Sequence, residues 1–269
     1  MSATAPPKPP TRFRGRFRRP AIRAMQSVKH QERAAVTTHL EELRWRLSVV
    51  FGVLIAAFCG AWVIHDRLFH LLEKPLSGKY EVQTLSVTEP FFTTVSVAAH
   101  AAVLVALPVA IYNLYRFAAP ALEPQQRRGL APLVALAPAL FYAGVAFCYL
   151  LILGPSVRFL LGIGDGSFTV SLRAQDYYSF VSMTLLGMGA SFLFPLVLLG
   201  AARVGVLRAE LLRQNRKVAV VLIAIVAALL PTGDPVSLAI EILPLLALFE
   251  LSIVLVAAQE RAARRRSEA

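Results

Sequence analysis

The stretch YYSFVSMTLLGMGASFLFPLVLLGAA, residues 177–202, decides the fold, because it contains no Asp, Glu, Lys or Arg. A bilayer core about 30 Å thick needs roughly 20 apolar helical residues, and this run exceeds that length without offering a charged face to water. Working outward from it, uncharged runs also cover 47–65, 90–115, 130–153 and 218–233, and an apolar stretch holding two glutamates covers 235–258. Of 269 residues 57% are hydrophobic and 16% are charged, whereas a soluble domain carries about a quarter charged residues. The expectation is an all-α integral membrane protein with six transmembrane helices.

Twenty-three of the 28 Lys and Arg lie before span 1, between spans 2 and 3, between spans 4 and 5, or after span 6. The other five lie in 65–90 and 154–176. Basic residues stay on the cytoplasmic side, so both termini are expected there. The same bias accounts for the net charge of +12 and points to anionic membrane lipids rather than nucleic acid. Residues 1–35 read as a disordered, basic, Pro/Arg-rich cytoplasmic tail, 36–258 as the six-span domain, and 259–269 as a second basic tail. Met25 is an alternative start to Met1. No cleavable signal is expected before span 1.

The spans are unequal. Val218 to Leu230 supplies 13 apolar residues before Pro231, a rise of about 20 Å at 1.5 Å per residue. Such a helix cannot cross a full bilayer upright. Span 2 contains Pro108, whose missing N–H bends a helix. A curved, concave bundle with a short final hairpin of spans 5 and 6 follows. Between spans 1 and 2, Asp66 to Leu72 reads as a short helix ended by Pro75, and between spans 3 and 4 Phe168 to Leu172 reads as a strand. Cys59 and Cys148 read as small packing residues, and His100 as packed and hydrogen-bonded. No metal site and no cofactor is expected, and no Ser/His, His-Glu or Asp pair has spacing that an enzyme could use.

Before span 1 stands His39-Leu40-Glu41-Glu42-Leu43-Arg44-Trp45-Arg46-Leu47. Leu40, Leu43 and Leu47 share one helical face, as in an amphipathic helix along the membrane surface. Glu42 either pairs with Arg46 one turn on, a contact worth a few tenths of a kcal/mol, or docks a cationic ligand. This segment resembles the opening motif of TatC, the receptor subunit of the twin-arginine protein translocase. The resemblance continues in order through Pro75-Leu76, Pro90-Phe91-Phe92-Thr93, Phe117-Ala118-Ala119-Pro120-Ala121-Leu122 and Arg127-Arg128. It then runs through Phe141-Tyr142-x-Gly144, Ser191-Phe192-x-x-Pro195, Asp234-Pro235-x-Ser237, and Pro244 with Phe249-Glu250, covering about 36–258.

The resemblance implies a receptor and not an enzyme, in the bacterial inner membrane. Such a protein binds the paired arginines of signal peptides at the cytoplasmic surface. It recruits small single-span subunits of the TatA/TatB type, assembles into larger complexes containing further copies of itself, and moves folded cargo using the proton-motive force. A guanidinium pair calls for carboxylates in bidentate geometry. The implied signal-binding residues are Glu42, Arg44, Phe117, Glu123, Gln126, Arg127 and Arg128. Those implied for partner or intramembrane polar contacts are Asp234, Glu241 and Glu250.

Two positions depart from the family pattern. Gln126 stands where a Glu usually precedes the two arginines, and Glu123, three residues earlier, is its candidate replacement. Leu193 stands where many members carry an intramembrane Glu. Glu241 either restores that polar spot or sits at the outer interface and reaches water. A paralogue with altered or lost signal recognition is therefore one alternative. An ion-coupled small-molecule transporter is the other, and it requires a midplane polar site that spans 1 to 5 offer only at His100.

Overall fold

A computed structural model of the chain describes the backbone of residues 19–76, 80–163, 171–230 and 235–268. Within these it describes the side chains of all but 19–40, 121, 125 and 263–268. The chain forms two units, residues 1–45 and 46–269, each taken by itself below. The first contains the beginning of helix α1 (Arg19–Val63). Residues 1–18 of the expected disordered tail lie outside the described residues, and residues 19–35 belong to α1. Leu40, Leu43 and Leu47 also belong to α1, so among the described residues no separate surface helix precedes the first span.

In the second unit α1 is followed by the short helix α2 (His65–Glu73) and a 3-10 turn over Lys74–Leu76. Strand β1 (Val82–Gln83) leads into α3 (Glu89–Ala118), which tolerates Pro108 in its interior. Helix α4 (Pro124–Phe147) passes through a π turn over Cys148–Ile152 into α5 (Leu153–Gly162). Strand β2 (Leu172–Arg173) pairs in parallel with β1, Val82 opposite Leu172. The expected strand is thus seen only at its last residue, because 168–170 lie outside the described residues. Helices α6 (Ala174–Phe192) and α7 (Phe194–Val204) form one span broken at Leu193. The break has a local cause: Pro195 is the second residue of α7 and cannot donate to the preceding turn. Helices α8 (Ala209–Gln214), α9 (Arg216–Ala228) and α10 (Pro235–Glu268) complete the chain.

Five segments among the described residues are long and apolar enough to cross a membrane: Glu41–Val63, Glu89–Ala118, Gln126–Gly162, Ala174–Val204 and Pro235–Ala262. The expected fifth span of six is α9, and its 13 residues fall short of that length. Lipid gives little hydrophobic drive to helix association, so close packing has to hold the spans together. Glycines make it possible between α4 and α6. A Cβ on Gly144 would stand 2.8 Å from Phe192 Cβ and 3.0 Å from the Met188 carbonyl oxygen, and one on Gly189 would stand 2.7 Å from the Phe141 ring. Phe141, Val181 and Met188, all fully buried, fill this seam. Farther along, Gly187, Phe194, Leu222 and Leu245 border an apolar cavity of about 400 Å³ beside the short α9. Cys148 is buried as expected, whereas Cys59 is exposed on α1.

Helix α7 stops at Gly205, whose φ of 88° is left-handed. The Gly205 N–H donates to the Ala202 carbonyl at 3.1 Å and the Val206 N–H to the Ala201 carbonyl at 3.0 Å, the paired bonds of a Schellman ending. A Cβ here would meet nothing within 4 Å, so substitution costs conformational energy alone. Gly205→Ala is expected to lower stability by about 1 kcal/mol, read as a lower melting temperature in detergent with an unchanged helical spectrum.

Candidate recognition turn and buried polar sites

The turn from α3 to α4 carries most of the expected signal-binding residues. Phe117 stands half-buried one residue before the end of α3. After a 3-10 turn over Ala119–Ala121, Glu123 caps α4 and Pro124 is its first residue, where the missing proline N–H costs nothing. The Glu123 N–H donates to Gln126 Oε1 at 3.2 Å, and the Glu123 carboxylate accepts from the Gln126 backbone. This is a capping box built with Glu and Gln. The Gln126 side-chain amide donates in turn to the Val204 carbonyl at the end of α7, at 3.4 Å. Gln126 is therefore more than a lost charge, because its oxygen closes the helix start and its nitrogen ties that start to the next span. Glu123, Arg127 and Arg128 are exposed around it. From α3, the Tyr115 hydroxyl donates to the Arg127 carbonyl at 3.0 Å. Glu42 and Arg44 belong to the first unit, on α1.

The other expected polar residues fall elsewhere. Glu241 is completely buried in α10, which removes the placement at a watery interface. Glu250 is half exposed and accepts from Arg216 at 2.9 Å, joining α10 to the start of α9. Both side chains of this pair are about half exposed, at 52% and 51%. Asp234 lies outside the described residues. His100 meets the Ser182 hydroxyl through Nδ1 at 2.8 Å, the packed arrangement expected of it.

Sequence reading missed a heavily bonded acid, Glu89, at the opposite end of the spans. The Glu89 side chain is fully buried at the start of α3. Its Oε2 accepts from the Leu85 N–H at 2.9 Å, and its Oε1 accepts from the Gln175 N–H at 3.2 Å and lies 3.2 Å from Arg173 Nε. Around it, the Tyr177 hydroxyl donates to the Leu72 carbonyl at 2.7 Å, the Tyr149 hydroxyl to the Leu71 carbonyl at 2.8 Å, and the Tyr178 hydroxyl to Glu73. The two connecting segments on this side, 64–88 and 171–173, are thus joined by side chains as well as by the β1–β2 bridge. Glu89 beside Pro90 offered one weak signal, since an acid in the first turn suits the helix dipole. Its burial, however, is set by residues that only the fold brings near.

A bundle of long apolar helices with small-residue seams, a polar turn at one end and a bonded cap at the other defines a multi-span membrane protein. Residues 38–244 match the family model described as Sec-independent protein translocase protein (TatC). The chain is 33% identical over 230 residues to the Sec-independent protein translocase protein TatC of Desulforapulum autotrophicum, covering 84% of this chain and 85% of the relative. It is 34% identical to that of Deinococcus radiodurans, covering 82% and 85%. A crystal structure of the twin-arginine translocase receptor TatC in detergent superposes with a TM-score of 0.72 at 32% identity, covering 81% of this chain and 99% of that one. The chain belongs to the TatC family. It is a translocase component of the bacterial inner membrane, and not an enzyme.

Proposed function

We propose that this chain is the core receptor of a twin-arginine translocase. It binds the paired arginines of signal peptides at the cytoplasmic surface and helps move folded cargo using the proton-motive force. The reading takes α9 as a sixth, short span within residues 36–258. Both termini are cytoplasmic, with basic segments at 1–35 and 259–269. The observation that carries it is a family match that begins at residue 38 and so takes in Glu42 together with the turn bearing Glu123, Gln126, Arg127 and Arg128. Glu42 supplies one carboxylate to the guanidinium pair, with Arg44 and Phe117 among the residues around the site. Glu123 supplies the second carboxylate, since Gln126 contributes no charge. Asp234, Glu241 and Glu250 are assigned to contacts with single-span subunits of the TatA/TatB type or within the membrane. Further copies of the chain and anionic lipids complete the assembly.

Photocrosslinking from positions 42, 123 and 126 to a twin-arginine signal peptide tests the assignment, beside a peptide with both arginines changed to lysine. Crosslinks that disappear with the lysine pair are expected from 42 and 123. Equal labelling by both peptides, from folded protein, would remove the receptor reading.

A further inference from the structure

The recognition turn is held from a distance by the last helix. The Schellman ending at Gly205 closes α7 through Ala201 and Ala202 and leaves the Val204 carbonyl for Gln126. One residue earlier, the Arg203 side chain lies across Gly129 in the first turns of α4. Its Cδ is 3.2 Å from where a Cβ on Gly129 would stand. The Nε of the same guanidinium donates to Gln259 Oε1 at 3.0 Å. The adjacent Glu260 Oε1 accepts from the N–H of Ala209, the first residue of α8, at 2.9 Å. Two consecutive residues of α10 therefore grip both sides of the turn between α7 and α8. Through Arg203 and Val204, that grip reaches the backbone that presents Gln126, Arg127 and Arg128.

We propose that Arg203 and Gln259 are positioning residues for signal recognition, a proposal that rests on the receptor reading above. The physical case is one of entropy and charge. A turn fixed before the ligand arrives avoids the cost of ordering it on binding. Gln259 holds Arg203 by a neutral oxygen, so the bond brings no negative charge to the turn that carries Arg127 and Arg128. A carboxylate at 259 would keep the bond, strengthen it, and lower the positive potential that an arginine pair has to approach.

The test uses the full chain in detergent and measures two quantities: affinity for a twin-arginine signal peptide, against the lysine-pair control, and hydrogen exchange of the amides of residues 126–130. Gln259→Ala is expected to speed exchange severalfold and to weaken arginine-dependent binding about tenfold, leaving the lysine control unchanged. Gln259→Glu is expected to restore both, with affinity at or above the parent. Gly129→Ala attacks the same contact from the other side while favouring helix, and it is expected to weaken binding without loss of folded protein. Exchange at the parent rate in Gln259→Ala would overturn the proposal whether or not the peptide binds. Faster exchange with parent affinity would also overturn it, by reducing the bond to a structural tie. Parent protein that holds the turn but shows no arginine-dependent binding would instead bring down the receptor reading.

Discussion

Glu89→Ala is expected to lower the melting temperature in detergent by on the order of ten degrees and to abolish transport in a reconstituted assay. The carboxylate satisfies the Leu85 and Gln175 N–H groups and faces Arg173 with no exposure of its own. Alanine leaves both N–H groups without that partner and opens a space at the start of α3. Arg173→Ala is expected to cost much less. The Arg173 side chain is 41% exposed, and the two backbone donors still hold Glu89 in its absence. Glu89→Gln should fall between them, since one amide oxygen replaces two. An order in which Arg173→Ala is the more damaging would show that the ion pair, and not the backbone bonds, holds the cap together.

The second large effect is expected at Glu42. Glu42→Ala should weaken arginine-dependent signal-peptide binding by roughly ten- to a hundredfold, since a hydrogen bond to a charged partner contributes about 1.5–3 kcal/mol. Glu42→Gln should lose less, and the lysine-pair peptide should not distinguish the three proteins. Glu123→Ala carries a separate expectation. It removes half of the capping box, at about 1 kcal/mol of stability, and removes the second carboxylate assigned to the guanidinium pair. Titration calorimetry with the signal peptide separates the two contributions, because a lost cap lowers the melting temperature without changing the preference for arginine. Parent affinity in Glu42→Ala would take that residue out of the site.

Much of the fold was legible because charge is expensive in a bilayer. Runs such as 90–115 and 177–202 read as spans from length and lack of charge, and Pro231 marked the shortness of α9 in the sequence itself. Pro195 carried the break at Leu193 in a form that length alone hid, since a broken span and a straight one have the same composition. The polar sites were less legible, because a side chain's partners depend on approach and not on spacing. Gln126 read as an absence of charge, whereas its two ends close a helix and bridge to Val204. Glu250 was expected in partner or intramembrane polar contacts, and within the chain it meets Arg216, 34 residues away. Glu89 was read past altogether. Its neighbours along the chain, Thr88 and Pro90, describe an ordinary helix start, and the residues that bury it belong to a segment more than 80 positions later.

The π turn at Cys148–Ile152 has a consequence for how this span tolerates change. One carbonyl there waits an extra residue for its donor, the Leu153 N–H bonding back to Cys148, so the helix holds one residue more than a regular α-helix needs. Cys148, Ile152 and Leu153 are all completely buried, and the widened turn brings them onto one inward face. Deleting a single residue from 149–151 would let the turn close to ordinary helical pitch, with the flanking faces on α4 and α5 kept in register. An equal deletion outside the π turn, elsewhere in 126–162, would rotate every later side chain by about 100° around the axis. The span thus carries one site where its length is negotiable, in a wall whose every other position is counted.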